Sequence, residues 1–544
     1  MEPKNAHCPR WSALPRGVRA AFLSCFAAGF FCHLFAFTNL IPNSDGISRV
    51  YDAQQMTISG RWFLHYASAW NGYTQAPAVI GFFSLLFLSL AAGLTVSLLR
   101  VERPLFGGLC GALLAVFPSV AYTFLYLFTA SAYCFGILLA VLAVWLAARY
   151  RFGFLFAAPL LACAVGTYQA YLAVAASLLL LRLILLGLEE GQSAKALLPE
   201  ALKALALLAL GLLLYFVTLR IFLKLKDLTL LSYKGIGGEL KLGGILAEIP
   251  AAYRDFFRYF FVPRSFANYT TPIAVVGNAL LFLAGLWALL RLALRRRPAV
   301  RPGVLALTLL FLALLPLALN LTVLMGEAMP IMRFALVFAY VLALALTDRA
   351  FPAEDPAKRE GKQKQKDRPG SGKLRSALPA RIAAICAAAL LCGVSFHIDN
   401  LAYTVSATAH RATESFATRL VERVESAPGY RKGMEVVIVG GFPSRVYHSQ
   451  IEAFSLVSDY SNLSSSVIPL NKHVYYYLND WLNVPWAEPP EQTLIAAAQS
   501  ERFRAMPLYP GEGSVQVVGD RVYVKLAETY TPKKDYEIAY ENRR

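Results

Sequence analysis

Apolar residues run in long unbroken stretches through the first 400 positions, too long for soluble strands and too uniformly apolar for amphipathic surface helices. Stretches of roughly 17–25 such residues cross a bilayer as helices. On that basis about eleven spans are expected, near 19–39, 77–99, 105–123, 130–148, 154–169, 171–187, 204–223, 271–290, 303–323, 331–347 and 381–398. The pair flanking Tyr168 also reads as one bent hairpin whose turn lies at membrane depth. Beyond residue 399 the pattern changes. A helix-period stretch passes through Thr413, Phe416, Leu420 and Val424, and Glu435–Phe442 reads as a buried strand closed by glycines. SVQVVGDRVYVKL alternates around Gly519-Asp520, which predicts a hairpin. The Gly440-Gly441 pair has no phosphate-loop frame around it and reads as a turn.

The expected fold is therefore mainly α: a polytopic transmembrane bundle over 1–398 and a small extracytoplasmic α/β domain over 399–544. Residues 348–381, which include KREGKQKQKDRPGSGKLR, read as a basic cytoplasmic linker. Composition agrees. Of 544 residues 57% are hydrophobic and only 16% charged, against about 45–50% and about 25% in soluble domains. An ordinary soluble enzyme and a disordered chain are both excluded.

The net charge of +18 does not point to nucleic acid, because Lys and Arg sit in short segments between spans. Lys4, Arg10, Arg16 and Arg19 precede the first span, Arg149 and Arg151 follow the fourth, and Arg295, Arg296, Arg297 and Arg301 follow the eighth. The positive-inside rule then predicts a multi-pass protein with a cytoplasmic N-terminus and an external C-terminal domain. The first span reads as an uncleaved signal anchor. The cysteines, all but Cys8 within apolar runs and with no CxxC among them, read as packing residues.

The stretch between the first two spans, 39–76, carries the densest chemistry. Pro42-Asn43-Ser44 predicts a helix start, with Asp45, Arg49 and Asp52 on one face at i, i+4 and i+7. Gly60-Arg61-Trp62 then sets a cation beside an aromatic, with His65 close behind. Spacing alone leaves two readings open: a catalytic cluster, or an ordinary helix ion pair with an interfacial aromatic belt. The long outer loop adds Lys234 in a glycine-rich segment and the aromatic, arginine-bearing AAYRDFFRYFFVPRSF, a lipid-surface helix or a plain connector. His33 and Asn278 read as packing or interhelical hydrogen-bond residues.

The acid after the first span, followed by Ser59-Gly60-Arg61-Trp62, resembles the bacterial O-antigen glucosyltransferase type II membrane family, grouped with GT-C-type glycosyltransferases. Gly166-Thr167-Tyr168-Gln169-Ala170 and Gly326-Glu327-Ala328-Met329-Pro330-Ile331-Met332-Arg333 extend the likeness, as does the tail from Met506 to Leu526. The resemblance implies a polyprenyl-phosphate donor, glucose as the sugar, and a cell-surface glycan such as O-antigen as acceptor outside the membrane. It implies Asp45 as general base, with Asp52 as the alternative. Arg333, Arg61, Arg49 and Lys234 become the expected phosphate ligands, because guanidinium forks suit phosphate oxygens. Glu327, Tyr168, Gln169, His65 and Trp62 are the expected supporting residues. No metal or other cofactor is expected, and transfer with inversion is. Two other functions share this residue content: a flippase or transporter of lipid-linked sugars, and a glycan polymerase or ligase using a diphosphate-linked donor. Tyr475-Tyr476-Tyr477, Trp481 and Trp486 offer either a sugar platform or a domain core.

Overall fold

A computed structural model describes residues 11–47, 50–231, 242–263, 270–295, 302–326, 329–351, 377–443, 449–457, 468 and 471–532. Of the described residues 73% are helical. The first ten spans expected from the sequence correspond to α1 (Arg16–Thr38), α2 (Pro77–Leu99), α3 (Pro104–Val116) with α4 (Pro118–Leu125), α5 (Leu127–Arg149), α6 (Gly153–Thr167), α7 (Tyr171–Gly187), α8 (Ala194–Leu225), α10 (Pro272–Arg295), α11 (Pro302–Leu319) and α12 (Val337–Ala350). Between α8 and α10 lies α9 (Ile249–Phe261), and α13 (Ala377–Glu425) contains the eleventh. Among the described residues eight segments are long and apolar enough to cross a membrane, while α6 and α7 are shorter. α12 is shorter again, because 3-10 turns occupy 330–332 and 334–336 before it.

Two departures from regular helix have local causes. Phe117 is extended (φ −64°, ψ 135°) and parts α3 from α4, because the ring of Pro118 disfavours helical backbone at the residue before it. The turn between α6 and α7, at Tyr168–Ala170, joins two short helices that extend toward the same end of the bundle. With each connection reversing direction, one end collects Arg16, Arg19, Arg100, Arg103, Arg149, Arg151 and Arg349. The other carries the 39–76 loop, the α6–α7 turn and α9.

α13 runs unbroken for 49 residues, about 74 Å at 1.5 Å per residue, more than twice the ~30 Å bilayer core. No break falls at residue 398; the helix passes straight through the expected domain boundary. Its far half buries Thr413, Phe416, Leu420 and Val424, the positions the helix period singles out. They pack on a three-stranded sheet: β1 (Glu435–Val439), β2 (Val515–Val518) and β3 (Arg521–Lys525), in order β1-β3-β2. β1 is parallel to β3 and β2 antiparallel to it, so both the strand and the hairpin expected near the end are present. Tyr475 Oη accepts from Ile438 N (2.8 Å) and donates to Val436 O (3.0 Å), and burial pushes its phenol well above the ordinary tyrosine value. Tyr475, Tyr477 and Trp486 belong to the core of this lobe.

Candidate active site

The 39–76 loop does not form the helix expected to carry Asp45, Arg49 and Asp52 on one face. Residues 44–47 make a turn, and Tyr51 instead pairs as an antiparallel bridge with Thr74. Asn43 Oδ1 and its backbone O both accept from Gly46 N (2.7 and 3.0 Å), closing a four-residue turn, while Asn43 Nδ2 donates to Leu125 O at the end of α4 (2.8 Å) and ties that turn to the bundle. Gly46 O in turn accepts from Gln75 Nε2 (2.9 Å). Asn43, Ser44, Gly46 and Ile47 are all buried, and Asp45 alone in this turn is exposed. Its carboxylate has no hydrogen-bond or ion-pair partner among the described residues.

Asp52 is placed differently. Its N–H donates to Tyr73 O (2.9 Å), and its Oδ1 accepts from Gln54 N (2.8 Å), so the carboxylate shapes its own loop. His65 serves the same loop: Nδ1 lies 2.6 Å from Ala53 O and the ring stacks on Tyr73 at 5.1 Å. It ties the outgoing and returning arms together.

Gly60-Arg61-Trp62 is held from beneath by the α6–α7 turn. Gln169 Nε2 donates to Ser59 O (2.8 Å), and Tyr215 Oη of α8 donates to Gly60 O (3.1 Å). Gly60 has φ +78°, and a Cβ there would come within 2.5 Å of Gln169 Nε2. Gly166 is needed for a different reason: its missing side chain leaves room for the Trp62 ring, and its carbonyl accepts from Phe63 N (2.9 Å). Trp62 also stacks on Phe222. Above the turn the Arg61 guanidinium rests over the Tyr168 ring at 5.1 Å and donates to Tyr133 Oη (3.3 Å), while Tyr133 and Tyr168 stack at 4.7 Å. The GTYQA motif thus acts as the seat of the GRW motif.

Arg333 is 2% exposed and forks onto a residue not singled out in the sequence, Asp255 of α9. Nη1 donates to Oδ2 (2.8 Å) and Nη2 to Oδ1 (3.1 Å). Asn320 Nδ2 donates to the same Oδ2 (3.1 Å) and to Ala252 O (3.0 Å). The guanidinium also lies over the Tyr259 ring. Burial holds the Tyr259 phenol above its ordinary value, with Arg333 acting in the opposite direction. Asn278 of α10 donates to Phe260 O (2.7 Å) and accepts from Tyr340 Oη (2.7 Å), a hydrogen-bonded helix contact as expected. Together these contacts dock α9 on the bundle; Arg254 and Arg258 face outward from it. Arg49, Lys234 and Glu327 lie outside the described residues.

α4 links the two halves of the site. Ser119 Oγ lies 3.4 Å from Ile331 O, in the segment leading to Arg333, and Leu125 O holds Asn43. Six residues of helix separate these contacts, about 9 Å along the axis. On the other side Gly46 lies against the Phe128 ring of α5. Tyr133, which receives Arg61, is five residues further, about 7.5 Å. The Asp45 turn is thus tied to the end of α4 and the start of α5, the helices that also contact the Ile331 and Arg61 segments.

Cys32, His33 and Asp399 also meet, deep between α1 and α13, with potential ligand atoms within 4.8 Å. Both imidazole nitrogens are already engaged, Nδ1 with Tyr403 Oη (2.8 Å) and Nε2 with Ala115 O (2.9 Å). As packed, the ring offers no lone pair to a metal. Asp399 was invisible as a site residue in the sequence because it follows directly on an apolar run. Asp255 was hidden among the aromatics and arginines of its own helix.

Apolar helices long enough to cross a membrane, with Asp45, Asp52 and Arg61 on the loop after the first of them, describe a membrane protein with polar chemistry at one end. Residues 34–346 match the family described as Glucosyl transferase GtrII. The match covers more than half of the chain, which belongs to that family and is a glucosyltransferase by membership. It extends from the end of α1 into α12 and so takes in the Asp45 turn, Arg61, the α6–α7 turn, Asp255 and Arg333. Comparison with curated proteins and with solved structures finds no match.

Proposed function

We propose that the chain transfers glucose from a polyprenyl-phosphate donor to a cell-surface glycan such as O-antigen, on the external face of a bacterial cytoplasmic membrane, with inversion at the anomeric carbon. An acceptor hydroxyl oxygen attacks that carbon as the bond to the phosphate oxygen breaks. The hydroxyl proton passes to Asp45, and the bonding electron pair leaves with the lipid phosphate. One observation carries the assignment of the base: Asp45 is exposed and its carboxylate has no partner among the described residues, in a turn whose other members are buried and whose Asn43, Gly46 and Ile47 are hydrogen-bonded in place. A general base must reach within about 2.6–3.2 Å of the hydroxyl oxygen, and a fixed backbone with a solvent-facing carboxylate suits that task. Asp52 spends an oxygen on Gln54 N and is the weaker alternative.

Arg61, presented on the rings of Tyr168 and Tyr133, is the cation best placed to meet the leaving phosphate; its planar fork matches phosphate oxygens and stabilises the charge that grows on them. Arg333 takes a positioning part, because its fork is filled by Asp255 and so fixes α9. For Arg49, Lys234 and Glu327 the proposed roles rest on the sequence alone. The arginine-rich end of the bundle is taken as cytoplasmic, which sets the Asp45 end and the C-terminal lobe outside. The reading calls on no metal or other cofactor.

The test uses purified protein in lipid nanodiscs with polyprenyl-phosphate glucose and a glycan acceptor. Asp45→Asn should lower transfer by at least about 10²-fold, the scale of general-base catalysis, and Asp52→Asn by much less. Normal turnover in Asp45→Asn, at matched folding, would remove Asp45 as the base.

A further inference from the structure

At the arginine-rich end, opposite the Asp45 turn, the ends of α2, α5, α7 and α12 enclose a cavity of about 510 Å³. Four guanidinium groups line it, Arg100, Arg149, Arg182 and Arg349, together with Trp145 and a single carboxylate, Glu189. Glu189 is shared: Arg100 Nη1 lies 3.1 Å from its Oε1 and Arg349 Nη1 3.7 Å from the same atom. Arg182 is paired outside the lining, with Glu200 of α8 at 2.6 Å. Arg349 is further accounted for by helix ends, donating to Leu99 O (2.8 Å) and Leu185 O (3.1 Å). Arg149 has no ion-pair partner among the described residues. The lining thus carries three more cations than carboxylates, two once Glu200 is set against Arg182, across a space about as wide as the ~8–10 Å over which salt screens charge. Helix C-termini offset part of this excess, by about half a charge each at most, and their carbonyls are already met by Arg349.

The geometry points to a binding site here for the phosphate of an anionic phospholipid from the leaflet at this end of the bundle. Three observations favour a lipid phosphate over a free one. Arg100, Arg149 and Arg349 stand where helices end, the depth at which headgroups lie, and basic pockets between spans at that depth suit anionic headgroups. Trp145 donates from Nε1 to Ser97 Oγ (3.3 Å) and turns its ring toward the cavity lining. Beside the mouth, Tyr150, Phe152 and Phe156 are all exposed, an apolar surface suited to acyl chains but of no use to inorganic phosphate. None of these residues belongs to the proposed transfer site, so the inference stands or falls separately from it.

The experiment titrates the full-length detergent-purified protein with phosphatidylglycerol or phosphatidylcholine, reading bound lipid by native mass spectrometry and Tm by thermal unfolding. Inorganic phosphate and pyrophosphate are tested without lipid. Phosphatidylglycerol should bind tightly and raise Tm, and phosphatidylcholine should do neither. The double variant Arg100→Ala/Arg149→Ala, which removes two exposed side chains, should bind phosphatidylglycerol about 25-fold more weakly, about fivefold for each arginine, with unchanged phosphatidylcholine adducts. Equal binding of the two lipids, or undiminished phosphatidylglycerol binding by the variant, would overturn the site. An equal Tm shift from pyrophosphate alone would overturn its assignment to lipid.

Discussion

Removing the carboxylate of Asp255 would strand a guanidinium that has almost no access to water. Breaking a buried pair on one side costs about 3–5 kcal/mol. The Asp255 side chain is 27% exposed, so about 3 kcal/mol is the expected loss for Asp255→Ala, measured by thermal unfolding in detergent. Arg333→Lys should cost less in stability, yet it replaces a two-pronged contact by a point charge. If the pair positions α9, both variants should raise the KM for donor together and combine non-additively in a double-mutant cycle. Independent effects would return Arg333 to the role of a direct phosphate ligand. At this scale the sequence was only partly legible. Arg333 stood out as a cation after a span, but its partner lies 78 positions away, and no local pattern joins the two. The place of Asp45 just after α1 was legible, whereas the helix expected to carry it is a turn at 44–47. The pattern suggested a helix, whereas the turn at 44–47 is pinned by Asn43 to Leu125 O and by Gln75 to Gly46 O, contacts that no local pattern shows.

Elements were read more easily than contacts, since hydrophobic length and alternation are written in the chain itself. The breaks needed more. Pro118 ends α3 by a rule visible in sequence, yet the apolar run continues on both sides, so 105–123 was expected as one span. The α6–α7 turn shows the opposite case. Its motif was visible, while its purpose, seating Gly60-Arg61-Trp62, required the fold. That purpose makes Gly60→Ala a sharp probe. The substitution imposes a side chain at φ +78°, within 2.5 Å of Gln169 Nε2 and 2.7 Å of Tyr215 Oη. Left-handed backbone at a non-glycine residue costs about 1–3 kcal/mol. The Arg61 guanidinium should shift, so turnover should fall at least about tenfold even where melting temperature drops only a few degrees. Full activity in Gly60→Ala would show that the seat does not govern Arg61. In the sheet, Tyr475→Phe leaves Ile438 N–H without its buried acceptor, a loss of about 1–3 kcal/mol. Because burial raises the phenol, the stability gained from keeping it neutral is present below the ordinary tyrosine value of about 10. It is lost as pH rises through the higher folded value. The wild-type lobe should therefore loosen in strong alkali, a step absent in Tyr475→Phe.

For the whole molecule, the consequence least expected from the sequence is that the C-terminal lobe reaches the Asp45 turn. Ile47, two residues after Asp45, is fully buried in the core that also holds Phe416, Leu420, Tyr477 and Val524. Its carbonyl accepts from the indole N–H of Trp481 at 2.9 Å. One side of the Asp45 turn is thus fastened to the bundle through Asn43 and Leu125, and the other to the lobe through Ile47. The unbroken α13 joins bundle and lobe as one rod, which lets a lobe contact hold a residue at the mouth of the spans. Trp481→Phe keeps an aromatic ring beside Tyr477 and removes only the indole donor, a change of about 0.5–1.5 kcal/mol. Ile47→Ala removes the buried side chain itself, at about 2–5 kcal/mol. With Asp45 as the proposed base and Arg61 as the proposed phosphate ligand, both should reduce kcat for transfer, Ile47→Ala more than Trp481→Phe, with little change in donor KM. A rise in donor KM at unchanged kcat would show that the lobe acts on substrate binding instead, and would cut the link between Ile47 and the carboxylate beside it.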